Sequence, residues 1–208
     1  SRLIGVVVCD LKNSYFSGIV EAIEQSVRER GYLMNLALSA GDPRQEGECL
    51  ARLRSLRAEA AIVIPVNLAE PLTRMAGDLP LVTFGNRAGA AIPHVGLDEE
   101  AAMSAVGNHA RARGFSSTIF FSPPLAPHRR ANCDAQVRRW HGLQLVDPAS
   151  ILCTDPSSLP ALVARELAAG RRPLVACAND HYALTVRDQL TGDGWSIPRQ
   201  VGITGFDR

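Results

Sequence analysis

The 208-residue chain has no surplus of either charge: twenty-two basic residues stand against twenty-one acidic ones, for a formal net charge of +1. A free-standing nucleic-acid binder usually gathers a basic excess on one face, so the balance argues against that class. Long hydrophobic runs are missing as well. Stretches such as Ala60 to Ile64 are strand-sized, far short of the roughly 18 residues a membrane span needs, and no membrane partner is expected. The opening residues, Ser1 to Gly5, lack the charged, apolar and small-residue regions of a signal peptide. Cys9, Cys49, Cys133, Cys153 and Cys177 show no CxxC spacing. Cys9, Cys153 and Cys177 each close an apolar run, so the set reads as reduced core thiols, as expected of a cytoplasmic protein.

Catalytic signatures are also scarce. There is no GxSxG nucleophile turn, no Walker A loop and no GxGxxG after the first apolar run. The histidines His94, His109, His128, His141 and His181 fall in different segments, and none is paired at HxxxH spacing with a carboxylate between. Neither a metal site nor a cofactor is expected, and nothing asks for a catalytic residue.

What is present is the composition of a folded protein, with 46% hydrophobic and 21% charged residues, and a regular alternation of strand and helix patterns. Leu3 to Val8 is an unbroken apolar run, as a strand buried on both faces requires. Phe16, Ile19, Val20, Ile23 and Val27 then repeat at helical spacing, and Gly31 supplies a stop. Asp42-Pro43 opens a second helix with a cap followed by proline. Strands at Tyr32–Leu38, Ala61–Ile64, Leu81–Phe84 and His94–Gly96 alternate with helices, the fourth running from Asp98 to about Arg113 and ending at Gly114. A second series follows, with strands at Ser117–Phe121, Ile151–Cys153, Pro173–Ala178 and Val201–Thr204. Its helices are expected near Ala131–Leu143, Ser157–Ala169 and His181–Leu190. The pattern predicts an α/β fold of two Rossmann-like lobes, residues 1–114 and 115–208, each a parallel sheet flanked by helices, with a ligand cleft between them.

Ligands of open α/β sheets bind outside the carboxyl ends of the strands, so the polar residues after each strand are the candidate site. The first lobe offers Asp10, Asn13, Asn86, Arg87 and Asp98; the second offers Arg129 or Arg130, Asn179, Asp180 and Asp207. Carboxylates accept from hydroxyls, Asn both donates and accepts, and an arginine fork grips neighbouring oxygens in one plane, so the set suits a polyhydroxylated small molecule. Tyr15 or Phe16 could cover the apolar face of a sugar or stack on a base. Asp10, Asp98 and Asn179 also read as plain helix caps, Phe16 as core, and Arg87 as a solvated charge. Pro123, Pro124 and Pro127 mark an irregular loop in the second lobe.

The order of motifs resembles the effector-binding core of the LacI/GalR transcription factors, which shares its architecture with periplasmic sugar-binding proteins. Ile4-Gly5-Val6-Val7-Val8 with Asn13-Ser14-Tyr15-Phe16 is similar to the family's opening strand and its Asn-Pro-Phe-Phe turn, with Ser14 in place of proline. Val82 to Arg87 resembles its strand ending in Asp-Arg, and Val95-Gly96-Leu97-Asp98 its Val-x-x-Asp. Asn179-Asp180-His181-Tyr182-Ala183-Leu184 is similar to Asn-Asp-x-x-Ala-Leu, and Gly205-Phe206-Asp207 to Gly-Phe-Asp. The resemblance implies that Asp98, Asn179 and Asp207 contact an effector, that Phe16 lines the site, and that Arg130 stands where the family has the arginine of Arg-x-x-Gly-Phe, although Ala131 to Asp134 lack the glycine-aromatic pair. It further implies a small-molecule effector, of carbohydrate class, a homodimer, and operator DNA bound through a helix-turn-helix headpiece that this sequence does not contain. The chain is expected to be cut short after Arg208, before the family's return to the first lobe. A transport-system sugar-binding protein would use the same cleft, and an α/β enzyme on this scaffold is the third reading.

Overall fold

The computed structural model describes residues 2–9, 11–65, 72–123 and 134–207. The first sheet is built from β1 (Leu3–Val8), β2 (Leu33–Leu38), β3 (Ala60–Val63), β4 (Leu81–Phe84) and β5 (His94–Val95). Its helices are α1 (Ser14–Glu29), α2 (Pro43–Ser55) and α3 (Leu72–Ala76). After α4 (Glu99–Ala112) the second sheet is formed by β6 (Ser117–Phe121), β7 (Ile151–Cys153), β8 (Pro173–Cys177) and β9 (Gly202–Thr204). The helices α5 (Asp134–Val146), α6 (Leu159–Ala168) and α7 (Asp180–Gly192) accompany it, with a turn of 3-10 helix at Pro156–Ser158 leading into α6.

Every strand pairing is parallel, in the orders β2-β1-β3-β4-β5 and β7-β6-β8-β9. Parallel strands need helical crossovers, which cover both faces and explain the near-continuous apolar runs. In the second sheet, Ile119, Phe121, Val175 and Cys177 face Leu159 and Val163 of α6 and Val186 and Leu190 of α7. Their neighbours Phe120, Leu174 and Ala176 face Met103 and Ala110 of α4 and Leu143 of α5. In the first sheet, Val7 and Val63 pack with Leu50 and Leu53 of α2, while Val6 and Val8 pack with Val20 of α1. The alternation along each strand thus assigns one helix layer to each face.

The chain separates into two compact units, one built on residues up to Leu97 and the other starting at Asp98 and taking in everything from Gln136 onward. The boundary expected at residue 114 is therefore displaced. Helix α4 follows the last strand of the first series, but its apolar face, Met103 and Ala110, is buried against the second sheet. The helix expected from Ser157 is split into the 3-10 turn, capped by Asp155, and α6. Asp42 does cap α2, accepting from the Arg44 N–H at 2.8 Å.

Buried thiols and ion pairs complete the second core. Burial pushes the Cys177 thiol up to about 12, with Cys153 adding to the effect, so Cys177 behaves as a small hydrophobe. At the amino-terminal edge of the sheet, Arg171 donates to Glu166 through Nε at 2.6 Å and Nη2 at 2.9 Å, which holds the buried Glu166 carboxyl below its usual range.

Candidate functional site

Strand order reverses on either side of β1 and again on either side of β6, and these switch points, at the carboxyl ends of the strands, are where open parallel sheets hold ligands. In the first unit, Asn13 caps α1, its Oδ1 accepting from the Tyr15 N–H at 3.0 Å. The half-buried Tyr15 ring meets Phe16 edge-on at 5.5 Å and lies 6.4 Å from Phe84 at the end of β4. The turn after β1 and the end of β4 are thereby brought together. Phe16 is part of the core beside Val20 and also of this aromatic group. Asn86 donates through Nδ2 to the Pro65 carbonyl at 3.2 Å, while its buried Oδ1 has no hydrogen-bond partner among the described residues. Arg87 is exposed.

The second unit gathers more. Asn179 caps α7, its Oδ1 accepting from the Tyr182 N–H at 2.9 Å, and Asp180 N–H donates to the Phe206 carbonyl at 2.9 Å. The turns after β8 and β9 are stitched together in this way. Asp98 caps α4 by accepting from the Ala101 N–H at 3.1 Å, and is exposed. Asp207 sits at φ +114, a conformation that L-residues rarely adopt and that proteins tend to keep at functional sites.

Between these turns stands a residue that the sequence reading passed over. Arg139 of α5 is 8% exposed. It donates through Nε to Glu99 Oε2 at 2.6 Å and through Nη1 to the Ala178 carbonyl, and its Nη2 lies 3.7 Å from Asp207 Oδ1. Its guanidinium lies over the Phe206 ring, 3.7 Å from the centroid. Two buried carboxylates thus share one buried guanidinium at the carboxyl edge of the sheet. Such groups are expensive to desolvate, and apolar residues of the same volume would serve stability as well or better.

Helix α5 can bring Arg139 to this place because Gly142, one turn further on, lets it cross α4 closely. A Cβ at Gly142 would lie 2.2 Å from the Glu100 carbonyl oxygen, and Ser104 Oγ donates to the Gly142 carbonyl at 2.8 Å. The signal was present in the sequence as Arg139-Trp140-His141-Gly142-Leu143, an Arg-x-x-Gly pattern in which Leu143 occupies the aromatic position. Ser122, after the switch-point strand β6, was also missed; it donates through Oγ to Gln136 Oε1 at 3.0 Å. Asp10, Arg129 and Arg130 lie outside the described residues, as do Pro124, Pro127 and Cys133.

Asp98, Asn179 and Asp207 therefore fall on one edge of the second unit, and Asn13, Tyr15 and Phe16 group with Phe84 in the first. Among the described residues no three His, Cys, Asp or Glu side chains are grouped as metal ligands would be, and no helix is long and apolar enough to cross a membrane.

Residues 1–208 match the family model described as periplasmic binding proteins and sugar binding domain of LacI family. The chain is 31% identical over 216 residues to the HTH-type transcriptional regulator PtxS of Pseudomonas aeruginosa, covering all of this chain and 62% of that protein. It is 24% identical over 222 residues to the HTH-type transcriptional repressor PurR of Vibrio parahaemolyticus, covering all of this chain and 65% of the relative. The chain thus spans less than two thirds of the length of these curated relatives. Among solved structures, a periplasmic binding protein/LacI transcriptional regulator from Alkaliphilus metalliredigens, complexed with D-xylulofuranose, superposes with a TM-score of 0.82 at 22% identity, covering 100% of this chain and 79% of that one. A LacI transcriptional regulator from Lactobacillus brevis gives 0.83 at 18% identity, covering 98% and 80%. At these identities the structures speak for the fold.

Proposed function

The chain belongs to the family of periplasmic binding proteins and LacI-type sugar-binding domains, and from that premise we propose that it is the effector-sensing part of a LacI-type transcriptional regulator. A small polar ligand, a carbohydrate, is held at the carboxyl edge of the second sheet. Asn179, Asp207, Asp98 and Arg139 bind it there, while Asn13, Tyr15, Phe16 and Asn86 are the candidate binding groups of the first lobe. The observation that carries this reading is the buried Arg139–Asp207 contact beside Asn179, set in the Gly-Phe-Asp turn and completed by the strained Asp207 backbone. Arg139, with Gly142 three residues on, takes the effector-arginine role first assigned to Arg130.

The chemistry supports a hydroxylated ligand. Asp98 and Asp207 can accept from hydroxyls, Asn86 Oδ1 is an acceptor lacking a partner among the described residues, and Tyr15 offers an aromatic face. The family description names sugar binding, and the Alkaliphilus regulator binds a sugar. That the curated relatives are transcriptional regulators favours this role over delivery to a transporter.

In this reading the ligand binds one conformation of the protein more tightly than another, and the population shift alters operator binding by a full-length dimer. Ordinary coupling of about 1–3 kcal/mol corresponds to a change of about 5- to 150-fold in operator affinity. The test is fluorescence anisotropy of the full-length protein on its operator across a panel of pentoses, hexoses, their phosphates and purines. A carbohydrate is expected to change affinity within that range. A change produced by purines alone would overturn the ligand class, and no change with any compound would overturn the sensing role.

A further inference from the structure

We propose that Glu99 sets the charge of the group this site accepts at Arg139: by neutralising the guanidinium, it makes the site select an uncharged hydroxyl or carbonyl over a carboxylate or phosphate. The proposal rests on the reading above that this edge holds the ligand. A buried arginine beside a ligand site is ordinarily an anion receptor, since its planar fork matches carboxylate and phosphate oxygens. Here its charge is already matched, although donors remain. Glu99, 3% exposed, takes the Nε donor at 2.6 Å, the Ala178 carbonyl takes Nη1, and Asp207 lies 3.7 Å from Nη2. An arriving anion would have to displace Glu99, stranding a buried carboxylate, or lie beside it with like charges a few ångströms apart in a medium that screens them poorly. A neutral hydroxyl meets neither penalty.

Glu99 is not placed here by its cap. Asp98 caps α4, and an acid at the next position of a helix normally points to solvent, where it favours the helix dipole. Glu99 is instead turned inward onto α5. The Phe206 ring beneath the guanidinium fixes the plane in which the remaining Nη hydrogens point, so the arginine can still donate to a neutral oxygen. Glu99 is therefore a specificity-determining residue that acts through Arg139.

Inorganic phosphate serves as the anion probe, with the Arg139 Nε–H resonance, assigned by its loss in Arg139→Lys, as the readout. In the wild-type protein the resonance is expected not to shift saturably with phosphate. In Glu99→Gln it is expected to shift saturably, with phosphate bound at least about tenfold tighter, and Glu99→Asp, which restores the charge, should again exclude the anion. A merely structural Glu99 would change stability and leave the phosphate response as it was. A saturable shift in the wild type, or a Glu99→Gln response like the wild type's, overturns the proposal. Should Glu99→Gln fail to fold, Glu99→Met, which removes the charge without leaving an unpaired buried polar group, takes its place: a saturable shift in it but not in the wild type upholds the proposal, and a response like the wild type's overturns it. Because phosphate replaces the effector, these outcomes are independent of whether the site reading survives its own test.

Discussion

Arg139→Met is expected to destabilise the protein by about 3–5 kcal/mol, the range for removing one partner from a buried ionic group. Methionine matches much of the arginine's volume, so little of the loss is cavity. The loss comes from Glu99 and Asp207, whose carboxylates stay buried without the guanidinium that neutralised them, and from the Ala178 carbonyl, which loses its Arg139 donor. Urea unfolding checks the figure. The same experiment on Arg139→Met/Glu99→Gln sharpens it, because the second change removes one stranded charge and should restore part of the stability. A double mutant equal to the sum of two independent losses would show that the two residues are not coupled. Arg139→Lys keeps the charge but not the fork. It cannot reproduce the Nε and Nη1 contacts together, so it should fall between wild type and Arg139→Met.

Gly142→Ala is the second large effect, and its sign runs against helix propensity. In an open helix position, replacing glycine by alanine stabilises by about 0.5–1 kcal/mol. At Gly142 the added methyl would lie 2.2 Å from the Glu100 carbonyl oxygen and 2.9 Å from its carbonyl carbon and Cα, all backbone atoms that cannot rotate away. Helices α4 and α5 must part, which breaks the Ser104–Gly142 hydrogen bond and draws Arg139 from Glu99. The net loss is expected to reach about 3 kcal/mol, the upper end for overpacking. Gly18 of α1, with nothing within 4 Å of its would-be Cβ, is the control, and Gly18→Ala should stabilise the protein slightly. Thermal or urea unfolding of the two variants side by side gives opposite signs if the close helix crossing is as described. Equal signs would contradict it.

The contrast between these glycines shows where the sequence was readable. The strand–helix alternation was legible because parallel strands buried on both faces leave unbroken apolar runs such as Leu3–Val8 and Pro173–Cys177, and because caps such as Asp42, Asp98 and Asn179 are local. The allegiance of α4 was not. Its apolar face looks the same whichever sheet it covers, and only the packing of Met103 and Ala110 against Phe120 and Leu174 places it in the second unit. Asn179 and Asp207 could be placed at the carboxyl edge because they follow strands. Arg139 could not be reached by that rule, since it comes from the middle of a helix and enters the edge only through the crossing at Gly142. Glu99 was invisible for a related reason: an acidic residue in a first helical turn ordinarily reads as solvated.

The central claim, that ligand is gripped by side chains that also cap helices at the strand ends, meets its most direct test at Asn179. Serine caps helices about as well as asparagine, so Asn179→Ser keeps the cap on the Tyr182 N–H while removing the amide. The decisive measurement is the calorimetric affinity of wild type and Asn179→Ser for the compound that shifts operator binding. The account predicts unchanged unfolding and an affinity at least about tenfold weaker, as expected when a site's polar groups are left unpaired. Equal affinities in two equally stable proteins would contradict it.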